Sequence, residues 1–289
     1  MTPAIAVALV LALGSTALVN VAYLREHAAA TALPALSLRR PLASLRLLAG
    51  DRPWLIGFAM ETVGFALYVA ALALAPLALV QTVGAGGIGL LALGSARMSA
   101  RPLSVRESRG AVISILGLLF LALSLIDGGT RSAPGSAVAI IAWLAGTAGL
   151  AALVVVGARS LIGAGAACGI AGGLLFSVGD ISTKVATQGG ARVAFAVSLI
   201  AGYVLGTSLL QIGYQRGAAL PVAGIATLLT NALPIAAGTV LLHEPVPSGV
   251  LGALRILAFA TVVLGAILLA RPDPGAIRSS APRPDAATL

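Results

Sequence analysis

Three acidic side chains lie inside or at the edge of strongly apolar runs, Glu61, Asp180 and Glu244. A carboxyl group in such surroundings needs a proton, a cation or water beside it. Glu61 sits about two turns into its run and is read as a solute, proton or cation contact, set against a hydrogen-bonded structural carboxyl. Asp180 and the one lysine of the chain, Lys184, are spaced to meet on one helix face, as a neutralised pair or as an outer gate and substrate anchor. Glu244 is read as a solvated helix terminus. Neutral donors and acceptors gather in two places, Gln81 with Thr82, and Gln211, Tyr214, Thr230 and Asn231. They can line a substrate pathway or tie helix to helix. Tyr68 and Tyr203, near the middle of apolar runs, offer aromatic walls able to face a cation.

Other chemistry is poorly served. His27 and His243 stand apart, and the chain holds no His-x-x-x-His pair, no serine-nucleophile motif and no closely spaced acidic pair, so an enzyme is not expected. Gly84 to Gly89 matches a dinucleotide-binding fingerprint letter for letter, but it lies inside an apolar run instead of after a strand. Close helix packing is the better reading, with Ala85 and Gly89 as a pair of small residues. Cys168 is the one cysteine, so no intrachain disulfide can form. No cofactor is expected, and no metal-ligand set is specified.

These residues must be positioned by helices in lipid. Of 289 residues 59% are hydrophobic and only 9% charged, and the mean hydropathy is +1.05. So few charges cannot cover a water-soluble surface, which leaves an all-α polytopic membrane protein. The net charge of +9 comes from arginines in short segments between apolar runs, a topology signal and not a nucleic-acid patch. About nine spans are expected, over residues 2–24, 54–74, 77–97, 110–126, 137–157, 163–184, 193–213, 218–242 and 250–270. Fourteen of the 18 basic residues then fall on one side, among them Arg25, Arg46, Arg97, Arg109, Arg159, Arg216 and Arg278. That side is expected to be cytoplasmic, with the N-terminus outside and the C-terminus inside a cytoplasmic (inner) membrane. Residues 2–24 lack a basic leader and read as a retained first helix. Between Leu33 and Leu48 the pattern suggests an interfacial amphipathic helix within a basic segment, 25–53. Trp54 reads as an interface anchor, and 271–289 as a disordered cytoplasmic tail.

Two stretches share one outline. Leu74-Ala75-Pro76 opens an apolar helix bearing Thr82, as Ala219-Leu220-Pro221 opens one bearing Thr227, and an offset of 145 residues superposes them without a gap. The expected orientation makes the two units face opposite ways, an inverted repeat of the kind built around a midplane substrate site. The expected units are a first repeat at 1–126, a connecting helix at 127–162, and a second repeat at 163–270.

The repeated unit, with its Ala-x-Pro or Ala-Leu-Pro break and closing Glu244-Pro245, resembles the EamA-type repeat of the drug/metabolite transporter superfamily. Trp54-Leu55-Ile56-Gly57, Gly64, Ala73-Leu74-Ala75-Pro76, Val80 to Ala85, Gln211-x-x-Tyr214 and Asn231-x-x-Pro234 are similar to its NIPA-type branch. Phe65 and Tyr68 stand where that branch has an acidic residue and an asparagine, and Ala100 lies near where the first unit would close with glutamate. The resemblance implies nine helices and a secondary transporter of a small polar or cationic solute working by alternating access. Its alternatives are a magnesium or divalent-cation transporter, a carrier of lipid-linked or amphipathic cargo, and a non-transporting scaffold or accessory subunit. The expected partners are the bilayer, a small molecule or ion, no nucleic acid, and, as a candidate, a second copy of the chain in a homodimer.

Overall fold

The computed structural model describes residues 3–74, 80, 83–84, 86–98, 102–124, 135–186, 188–241 and 247–270. Among the described residues every regular element is helical: α1 (Pro3–Ala32), α2 (Pro41–Gly50), α3 (Arg52–Leu74), α4 (Gly87–Met98), α5 (Val105–Leu123), α6 (Ala137–Gly157), α7 (Ala164–Ala186), α8 (Ala196–Tyr214), α9 (Ala219–Leu241) and α10 (Gly249–Ala270). One helical turn, Arg159–Ile162, precedes α7, and a 3-10 turn, Gly190–Phe195, leads into α8. Among these residues 7 helices are long and apolar enough to cross a membrane. Six of them match expected spans to within a few residues. α4 is a shorter apolar helix, and α5 opens with a Ser104–Glu107 capping box in place of the later start expected at residue 110. Gln81, Thr82, His243, Glu244 and the tail 271–289 lie outside the described residues.

The first span departs most from expectation. It does not stop near residue 24 but continues to Ala32, because Arg25-Glu26-His27-Ala28-Ala29-Ala30 is made of good helix formers and its glutamate finds a partner inside the protein. Only residues 41–50 of the segment that follows are helical, starting with Pro41 at the first helical position, so the amphipathic helix expected from Leu33 is shortened. Leu36, Leu48 and Trp54 are buried together. Trp54 stacks on Phe58 at 5.1 Å, and its backbone N–H donates to the Asp51 carboxylate at 2.8 Å. Its side chain packs against protein.

Lipid tails are as apolar as leucine, so helices in a membrane gain little by hiding leucine and much by close backbone approach at small residues. The interfaces follow that rule. Ser15 Oγ of α1 donates to the Gly64 carbonyl of α3 at 2.7 Å, and α1 and α3 run antiparallel. Along α4, Gly87 lies against Asn20 and Gly94 against Leu24, so α1 and α4 run parallel. α7 packs antiparallel on α8 where a Cβ on Gly202 would meet the Leu175 carbonyl at 2.8 Å. It packs parallel on α9, with Gly169 on Val222 and Gly173 on Ala226. α5 and α10 run antiparallel through Gly117 on Val262 and Gly265 on Ser114. At the far end of that pair, the buried Arg255 donates through Nη2 to the Ser124 carbonyl at 2.9 Å, placing a cation on the negative end of α5.

The end of α1 and the start of α7 meet at the turn between α8 and α9. The His27 ring lies with Nε2 3.0 Å from the Gly217 carbonyl, and a Cβ on Gly165 would fall 2.7 Å from Gly217 Cα. α1 therefore ends where α7 begins.

Candidate functional site

Glu26 is the residue around which polar groups collect. Its side chain is 1% exposed, as is Tyr214, and Gln211 is 0% exposed, a depth at which carboxyl groups are rare. Gln211 Nε2 of α8 donates to Glu26 Oε2 of α1 at 2.6 Å. The half-buried Glu61 of α3 has its carboxyl within hydrogen-bonding reach of the Glu26 carboxyl and of the Tyr23 hydroxyl. Such a facing carboxyl pair is held together by a proton or a cation between its oxygens. Tyr214 sits edge-on to the His27 ring, centroids 5.5 Å apart, and its hydroxyl is in electrostatic reach of Glu26, Tyr23 and Glu61.

Gly57 makes the arrangement possible. A Cβ there would fall 2.8 Å from Glu26 Cγ, so α3 can lie against the glutamate only with glycine at this position. The cluster also holds more open acceptors than donors. Glu26 Oε1, Gln211 Oε1, the Tyr214 hydroxyl and His27 Nδ1 are buried with no hydrogen-bond partner among the described residues. Unpaired buried polar atoms are costly, and four at one place mark a site built to receive something.

The structure gathers some of the expected residues and separates others. Glu61, Gln211 and Tyr214 converge on Glu26. Tyr203 lies further along α8, where its hydroxyl donates to Asp180 Oδ1 of α7 at 2.5 Å and its ring meets Phe176 at 6.1 Å. Lys184, spaced to share a helix face with Asp180, lies one turn further along α7 with an exposed side chain. Tyr68 stacks on Phe65 at 6.4 Å and packs with Ala12, Ala71 and Val80, apart from Glu26. Thr230 and Asn231 are half-buried on α9 and donate back to Ala226 and Thr227 of their own helix, both at 2.8 Å. Pro234 lacks the N–H that would bond the Thr230 carbonyl. The apolar groove on the outer face of α6, lined by Gly146, Gly149, Leu150 and Leu153, shares no residue with these groups.

Sequence reading missed Glu26, because it follows Arg25 and was counted with the basic segment. The one signal available was the alanine-rich run after it, which carries the helix onward.

A second set of bonds closes the end of the bundle beside this cluster. Gln215 Nε2 donates to the carbonyls of Ala30 at 2.8 Å, Leu33 at 3.2 Å and Pro34 at 3.1 Å, while its Oε1 accepts from the Leu36 N–H at 2.9 Å. One glutamine from the α8–α9 turn thus caps the last turn of α1, whose carbonyls have no partner within the helix. Gln215→Ala is expected to cost the local structure about 1–3 kcal/mol. Hydrogen–deuterium exchange at residues 30–36 should rise by about tenfold or more, with α9 amides unchanged. Unchanged exchange there would show that the cap carries no load.

These helices and the acidic cluster buried among them define a multi-pass membrane protein. Over 109 residues, 38% of this chain and 31% of the relative, the sequence is 33% identical to an Arabidopsis thaliana protein named "Probable magnesium transporter NIPA9". The match thus spans less than a third of that protein's length. No family model matches the chain. No solved structure matches it.

Proposed function

We propose that the chain is a secondary transporter that carries a small polar or cationic solute across the membrane by alternating access. The observation that carries this reading is the acceptor-rich cluster of Glu26, Glu61, Gln211 and Tyr214, buried in a helix bundle where isolated carboxyls are tolerated only for function. The helix directions support it. α1 packs antiparallel on α3 and parallel on α4, α7 packs antiparallel on α8 and parallel on α9, and α1 ends where α7 starts. Two such trios of opposite sense, meeting at a polar centre, are the arrangement on which rocking-type transport rests. The likeness to a protein named as a transporter supports the same reading. In it the arginine-rich ends face the cytoplasm, and Gln215 and His27 close that end. Asp180 and Tyr203 form the acidic group toward the opposite end.

Purified protein in liposomes tests the proposal. A solute or ion gradient should drive uptake of a labelled solute, and Glu61→Gln should abolish it. Absence of flux under every imposed gradient would overturn the reading in favour of a scaffold. A magnesium transporter is the second reading, favoured by the printed name of the relative. Among the described residues no group of three or more His, Cys, Asp or Glu side chains is placed to hold a metal ion. Growth rescue of a strain deficient in magnesium uptake would reverse that order.

A further inference from the structure

We infer that the Glu26 cluster is a binding site for a primary ammonium group, the charged head of an amine solute. The assignment rests on the reading of this polar centre as a solute site and names the chemistry that would fill it.

The donor and acceptor balance leads to it. Within the cluster, one N–H of the Gln211 amide is spent on Glu26 Oε2. The oxygens left without partners among the described residues are Glu26 Oε1, Gln211 Oε1 and the Tyr214 hydroxyl, and the lone ring nitrogen beside them is His27 Nδ1. With Nε2 of that ring set to donate to the Gly217 carbonyl, Nδ1 is left as an acceptor too. Even with the Tyr214 O–H and the second Gln211 N–H counted as donors, the open acceptors outnumber them, so the site asks for a species rich in donors. An –NH₃⁺ group has three donors and no acceptor, and its charge meets a carboxyl pair that needs a positive group between its oxygens.

The walls favour a nitrogen cation over a bare metal ion. Tyr23 and Tyr214 stand beside the two carboxyls, and the His27 ring packs against Tyr214. A small divalent metal prefers carboxylates and retained water, whereas three of the four open atoms here are an amide oxygen, a phenol and an imidazole nitrogen. A quaternary ammonium fits the charge but brings no N–H, so it would add no donor to the open acceptors.

The test uses the purified full-length chain in detergent with three probes: propylammonium, tetramethylammonium and Mg²⁺, each followed by calorimetry. Propylammonium should bind at least about tenfold more tightly than tetramethylammonium, and Glu26→Gln or Gln211→Leu should weaken it by about tenfold or more. A readout on the unsubstituted protein guards against variants that fail to fold. A hydrophobic carbodiimide should label Glu26 or Glu61, as read by mass spectrometry, and propylammonium should suppress the labelling where tetramethylammonium does not. Equal binding of the two ammonium ions, Mg²⁺ binding that propylammonium does not displace, unchanged labelling, or no binding by any probe would each overturn the assignment. Flux in liposomes without this ammonium contrast would leave the transporter reading standing and remove only the ligand. Binding with the contrast but no flux would do the reverse.

Discussion

Glu26→Gln is expected to weaken solute binding by about a hundredfold while leaving the protein at least as stable as before. The two effects have opposite signs for one physical reason. In the present fold a carboxyl group is held at 1% exposure, and its desolvation is offset by Gln211 and by whatever cation or proton sits between it and Glu61. Glutamine has nearly the same shape and can still accept the 2.6 Å bond from Gln211 Nε2 through its own oxygen. Removing the ionisable group therefore relieves the buried charge while keeping the hydrogen bond, so stability is expected to be unchanged or raised. A bound cation, however, loses a charge-assisted contact of about 1.5–3 kcal/mol, which is roughly ten- to over a hundredfold in affinity. Thermal unfolding followed by a fluorescent thiol or tryptophan signal, measured beside solute binding, separates the outcomes. A purely structural Glu26 would show lost stability with binding unchanged in the fraction that folds.

Gly169→Val should be among the most destabilising single substitutions in the chain. A Cβ at this position would lie 2.6 Å from the Val222 carbonyl oxygen and 3.0 Å from Val222 Cα. Both are backbone atoms of α9, so no rotamer change can make room and α7 and α9 must move apart. With Gly173 against Ala226 one turn on, the separation would spread along the whole parallel interface. A cost of about 3 kcal/mol or more is expected, seen as a collapse in the yield of monodisperse protein. Two glycine-to-alanine controls set the scale. Gly172 faces the Gly206 carbonyl at 3.3 Å and should tolerate alanine with a small loss, while Gly146 on α6 has nothing within 4 Å and should tolerate it without loss. A neutral Gly169→Val would mean that α7 and α9 do not pack as closely as described.

The class of protein was legible because crossing a membrane is a local property. A run of about 20 apolar residues announces itself whatever its neighbours do, and α6, α7, α9 and α10 begin and end within a few residues of their expected limits. The same uniform apolarity hides everything that depends on rotation. α1, α3 and α8 are apolar on all sides, so the letters do not say which face meets which partner. Glu61, Gln211 and Tyr214 could be chosen as polar exceptions in apolar runs, but not as neighbours. Asn231 and Thr230 could be chosen on the same ground, and the fold returns their donors to their own helix.

What the amino-acid order determined by itself was the helical membrane class, most of the spans and the list of polar residues that lipid would not tolerate. What only the tertiary structure decided was that Glu26 belongs on that list at all. Its burial depends on α1 continuing past Arg25 and on Gly57 letting α3 approach, and its bond to Gln211 joins residues 185 positions apart in the chain. A side chain read from its immediate neighbours carries no record of a partner brought in by another helix. Where charge and burial compete, that partner decides which one prevails.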